Sequence, residues 1–144
     1  MLSNHLYFNV NKFSILMRKN LLKALYPYNL TPEQWEILLI IQENDQPTTQ
    51  RQIIDITLKD KGNICRIVDK LKIGEWLEVK DGRPLTYLLT PKAVQLNKEV
   101  NKRLENYYLL LENLAEENGL LDNLKTASAK LEMFNHGNKK DIFG

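Results

Sequence analysis

TTQRQIIDITLKDKGNICRIVDKLKIGEWLEVKDGRPLTYLLT, residues 48–90, decides how the rest of the chain is read. Thr49 with Gln52 three residues later is a capping-box pattern. It predicts a helix from Gln50 that buries Ile53, Ile54 and Ile56. A polar break follows at Lys59-Asp60-Lys61-Gly62-Asn63. Beyond it Ile64, Ile67, Val68 and Leu71 recur at the spacing of one buried helical face. At about 100° per residue, Gly62, Arg66 and Asp69 point away from that face, while Asn63, Cys65 and Lys70 flank it. Two short helices around a turn, the second exposing a polar and partly basic surface, form a helix-turn-helix pattern. Its second helix has the size and polarity to enter a DNA major groove.

The stretch ends in a hairpin. Gly74-Glu75 turns the chain into Trp76-Leu77-Glu78-Val79-Lys80, which alternates as a half-buried strand does. Asp81-Gly82 predicts a two-residue hairpin turn, and Leu85–Leu89 is the returning strand. Pro84 has no N–H and fits only near the strand start or on an edge. Arg83 is thereby placed at the tip, exposed and always charged.

Working outward, Leu6, Val10, Phe13, Met17 and Leu21 mark an amphipathic helix of roughly five turns. Ile15, Leu16, Leu22 and Leu25 widen its apolar surface, as expected of a helix covered on more than one side, by a second subunit for example. Pro27 ends it. Thr31-Pro32-Glu33-Gln34 starts the next helix with an N-cap, a proline at the first helical position and a closing glutamine. Trp35, Leu38 and Leu39 continue that helix until Asn44-Asp45-Gln46-Pro47. After the hairpin, Thr90-Pro91 opens a helix expected to run unbroken to about Asn118, roughly 40 Å long. Gly119 ends it, and a final helix runs from Leu120 to about Asn135.

Composition narrows the function classes. At 144 residues, 43% hydrophobic and 26% charged, the chain is sized for one soluble domain with a real core. No apolar run reaches the roughly 20 residues that cross a membrane, and the N-terminus lacks a secretory pattern, so the expected compartment is the cytoplasm. A single cysteine excludes an internal disulfide. Two isolated histidines make no metal cluster, and no phosphate loop or catalytic spacing is present. The chain therefore reads as no enzyme, with no cofactor and no metal. Net charge is only +2, but its distribution is uneven. Residues 31–47 hold four acidic and no basic side chains, whereas residues 48–74 hold six basic against three acidic. A basic helix-turn-helix finds phosphates by charge.

The order of elements, with Leu30-Thr31-Pro32-Glu33-Gln34-Trp35, Arg66-Ile67-Val68-Asp69-Lys70-Leu71, Asp81, Arg83 and Leu89-Thr90, resembles that of MarR-type (multiple antibiotic resistance regulator) winged-helix transcription factors. The resemblance implies a mainly α fold with a small β-hairpin wing: one winged-helix domain over 1–144, a DNA-binding core at 31–90 with its wing at 76–90, and dimerisation helices at 1–30 and 91–137. It also implies a homodimer on double-stranded, pseudo-palindromic operator DNA, with no membrane association. Many members of the family are released by small, often phenolic, effectors or by cysteine oxidation. The sequence departs from the family pattern in a shorter segment before Asp81, in Glu75 where a glycine is usual, and in Cys65 where Ser or Thr is usual.

The expected DNA-contacting residues are Thr49, Gln50, Lys61, Gly62, Asn63, Cys65, Arg66, Lys70, Lys80, Asp81 and Arg83. Asn63 and Lys61 would approach base edges, and Arg66 phosphate or guanine. Asp69 reads as an internal partner for a nearby cation. An effector pocket would draw on Phe8, Phe13, Met17, Trp35 and Tyr107, although aromatic residues at helical spacing are commonly core. The rival reading is a winged helix used as a protein-interaction module, with a wing too short to grip DNA.

Overall fold

The computed structural model describes residues 1–44 and 47–137. Seven helices and three strands follow in the order α1 (Leu6–Leu25), α2 (Pro32–Glu43), β1 (Thr48–Thr49), α3 (Gln50–Thr57), α4 (Lys61–Ile73), β2 (Leu77–Lys80), β3 (Thr86–Leu89), α5 (Pro91–Arg103), α6 (Glu105–Glu116) and α7 (Leu120–Gly137). The architecture is mainly α with a small antiparallel sheet, as the sequence implies. Two compact units are present, Met1–Arg103 and a second beginning at Leu104.

Capping chemistry sets the helix starts in the first unit. The Thr31 side chain accepts the Gln34 N–H, and the Gln34 side chain accepts the Thr31 N–H. Thr49 and Gln52 repeat the same reciprocal pair at the head of α3. Each box satisfies two amide donors that a helix start otherwise leaves unpaired. Helix α2 is the centre of the unit, packing on α1, α4, α5 and β3. Leu25, Trp35, Ile37, Leu38, Ile53, Ile64, Val68, Leu71, Tyr87, Leu96 and Val100 form the buried core. Buried Asn97 of α5 donates its amide to the Gln42 side chain of α2.

The structure corrects several sequence expectations. Helix α4 begins at Lys61, not after Asn63, because the Asp60 carboxylate caps it by accepting the Asn63 N–H at 2.7 Å. Ile56 is 63% exposed and Ile54 half-buried, so only Ile53 of the expected α3 trio is fully buried. With just two turns, α3 packs a narrow stripe. The hairpin loop spans five residues rather than two, since Lys80 pairs with Thr86 and the ladder has no use for Pro84, which lacks a donor. The wing also gains a third strand, β1, which pairs Thr48 with Tyr87 and gives the sheet order β1-β3-β2.

Glu75 occupies the left-handed region, with φ 61°. A glycine suits that backbone best. Glu75→Gly should therefore raise stability by about 0.5–1 kcal/mol, net of the added freedom in the unfolded chain. A higher urea midpoint with unchanged slope would show it.

In the second unit the expected continuous helix is broken. Leu104 has φ −90° and ψ 2°, and its carbonyl accepts the Tyr108 N–H to restart the ladder as α6. Neither glycine nor proline marks this point, so the apolar periodicity ran on across it. Asn118 and Gly119, both at positive φ, turn the chain into α7, which packs against α6. From Leu121 onward every residue of α7 is exposed in the single chain. None of the helices among the described residues is long and apolar enough to cross a membrane.

Candidate nucleic-acid interface

Helix α4 turns Ile64, Val68 and Leu71 into the core at 0–2% exposure. That fixes which side chains face outward: Lys61, Gly62, Arg66, Asp69 and Lys70 are all exposed, with Asn63 and Cys65 half-buried at the flanks. Arg66 stands opposite the buried face. One of its guanidinium nitrogens comes within 3.7 Å of where a Gly62 Cβ would lie, so the arginine reaches back over the first turn. Lys80, Asp81 and Arg83 are exposed on the wing.

The charge pattern is selective. Arg51 pairs with Asp55 at 3.4 Å, Lys59 with Glu36 at 3.9 Å, and Lys72 with Asp69 at 3.5 Å. Asp69 thus has an internal cation as its partner. Lys61, Arg66, Lys70, Lys80 and Arg83 have no ion pair among the described residues. Five exposed cations on α4 and the wing are therefore open to an external anion.

Other expected contacts are partly engaged within the protein. The Thr49 hydroxyl caps α3, and the Gln50 amide donates to Cys65 Sγ at 2.9 Å. That contact ties the start of α3 to the first half of α4. Burial, then the nearby Cys65 and Asp69, push the Tyr87 hydroxyl above its ordinary value.

A brace at the wing base escaped the sequence reading. Lys92 of α5 donates from Nζ to the Gly74 carbonyl at 2.8 Å and lies 3.9 Å over the Trp76 ring. The Thr90 hydroxyl donates to the Glu75 carbonyl and accepts the Ala93 N–H that starts α5. A Cβ at Gly74 would come within 2.7 Å of Trp76, so the glycine makes room for the indole. Residues 16 and 18 positions apart give no local signal of such a contact.

Of the expected effector residues, Met17 and Trp35 line a cavity of about 410 Å³ between α1, α2 and the turn that precedes α4. Phe8 and Phe13 are not among its lining residues, Phe8 being 51% exposed, and Tyr107 belongs to the second unit. Trp35 is 5% exposed, and its indole N–H has no hydrogen-bond partner among the described residues. Arg18, Glu33, Glu36 and Lys59 give the cavity charges of both signs.

Arg18 clamps Glu33 through hydrogen bonds of 2.9 and 3.2 Å. Burial acts to raise the Glu33 carboxyl, but its hydrogen bond and attraction to Arg18 prevail and hold it below the ordinary value of 4.5. A depressed carboxylate stabilises the fold above its unfolded value and loses that contribution as pH falls through the folded one. Stability should fall on acidification below about pH 4.5, and Arg18→Met should flatten that decline in urea titrations between about pH 5 and pH 3.

Two short helices around a turn, the second with one buried face, followed by a sheet wing define a winged helix-turn-helix fold. The MarR family model matches residues 28–84, the stretch from the turn before α2 to the wing. Comparison with curated protein sequences finds no match. Solved structures share the fold. A MarR-family transcriptional regulator from Rhodococcus sp. RHA1 superposes with a TM-score of 0.75 at 16% identity, covering 90% of this chain and 95% of that one. MarR of Staphylococcus aureus, solved with salicylate and kanamycin, gives 0.70 at 18% identity over 96% and 95%. CouR of Rhodococcus jostii RHA1, solved with p-coumaroyl-CoA, gives 0.68 at 17% identity over 98% of each chain.

Proposed function

We propose that the chain is a cytoplasmic, homodimeric transcriptional regulator that binds pseudo-palindromic operator DNA and answers to a small-molecule effector. The observation that carries this reading is the set of five cations on α4 and the wing with no ion pair among the described residues, Arg66 standing opposite the core. In this reading Asn63 and Lys61 address base edges, Arg66 a guanine or phosphate, and Lys70 and Lys80 phosphates.

Dimerisation is supported by apolar surface left bare in one chain. On α1, Leu6, Phe8, Val10 and Ile15 are 46–78% exposed, and on α7 so are Leu131, Met133 and Phe134 at 44–75%. Soluble proteins rarely leave such helices uncovered. The effector part is supported by the cavity at Trp35, whose buried N–H lacks an acceptor, and by the ligands named for two structures of the same fold.

The compact wing favours one alternative, a winged helix that docks on protein instead of DNA. Fluorescence anisotropy on random duplex DNA separates the two. Binding should weaken linearly with log salt, and Arg83→Ala should lower that slope by about 1. An intact dimer that ignores duplex DNA at low salt would establish the alternative.

A further inference from the structure

Helix α2 carries five consecutive aliphatic residues, Ile37 to Ile41. Ile37, Leu38 and Ile41 fill the core, whereas Leu39 and Ile40 stay half-exposed on the other side. A helix apolar all round calls for cover on both sides. Across from them on α3 stands Ile56, the aliphatic side chain that the core leaves out. These three form the floor of an open groove of about 490 Å³ between α2 and α3.

The groove has a sign. Glu43 and Asp55 stand on its rim, with the side-chain amides of Asn44 and Gln52, and no basic residue lines it among the described residues. Glu43 makes no ion pair among the described residues. Arg51 pairs with Asp55 without lining the groove, and with side-chain exposures of 85% and 63% that bridge is too weak to cancel the charge. Gln52 also closes the Thr49 cap, so the groove abuts the start of the helix-turn-helix. It shares no lining residue with the cavity at Trp35, where Arg18 and Lys59 bring positive charge.

We propose that this groove is a binding site for a small organic cation on an apolar body. The floor takes the hydrocarbon, and the rim carboxylates take the charge and repel anions of the same shape. Its volume is that of a small-ligand site, about 300–1,000 Å³. A protein partner would need about 800 Å² on each side, far more than seven residues offer.

The test uses the full-length protein with labelled isoleucine methyls, titrated with tetraphenylphosphonium and, separately, with tetraphenylborate, its near-isosteric anion. Tetraphenylphosphonium should shift the Ile40 and Ile56 methyls saturably, while tetraphenylborate leaves them in place. Glu43→Gln with Asp55→Asn, both exposed changes, should weaken the cation about fivefold. Equal response to both ions, an unchanged affinity in the double variant, or no saturable shift by about 1 mM would overturn the proposal. So would shifts that follow protein concentration without any probe, which would mark a self-association face. The outcome is independent of whether the chain binds DNA.

Discussion

Arg66→Ala should lower affinity for the operator roughly tenfold to a hundredfold, the loss of about 1–3 kcal/mol that one good base contact carries. The geometry isolates the effect. Arg66 is exposed, stands opposite Ile64, Val68 and Leu71, and has no ion pair among the described residues. Removing it leaves the core and the Asp60 cap untouched, so thermal stability should hold while preference for the operator over random DNA shrinks. Lys70→Ala, at an exposed position one turn on, should instead weaken all sequences about equally. The operator itself comes from selecting bound sequences out of a random pool. Parental operator affinity in Arg66→Ala would mean that α4 is not the reading helix.

Ile64→Ala should have the largest effect on folding. Ile64 is 0% exposed in the first turn of α4, where the helix has fewest other anchors. Truncating a buried isoleucine removes its transfer energy and leaves a cavity, together about 2–5 kcal/mol. A fall in melting temperature of about 10 °C would correspond. Ile56→Ala, at a 63% exposed site, should change stability by less than about 0.5 kcal/mol. A loss under about 1 kcal/mol for Ile64→Ala would show that α4 is loosely seated.

Much of this fold can be read locally, because its caps are local. The Thr31 and Thr49 boxes announce α2 and α3 within four residues, and the apolar stripe of α4 is equally plain. Asp60 was harder: the same residue types that make a turn also cap a helix, so Lys61-Gly62-Asn63 read as break rather than first turn. The kink at Leu104 left no mark at all, since the periodicity ignores one residue with ψ near 2°. Strand β1 is only two residues long and exists through its pairing with β3, a tertiary fact. The outward cations could be read from helical phase, but not which of them are neutralised. The pairing of Lys72 and Lys59, and the freedom of Arg66, depend on side chains meeting in space. The same holds for the unpartnered Trp35 N–H and for the exposure of Ile56.

The Lys92 brace has a mechanical meaning. One ammonium group on α5 grips the carbonyl that ends α4 and presses on the indole that begins the wing. Helix α4 and the wing are thus tied to α5 through a single side chain. A small rotation of α5 would swing both away from a duplex together, without either having to unfold. If α4 and the wing bind DNA as proposed, release would resemble the lifting of a two-pronged key rather than the peeling of one prong after the other.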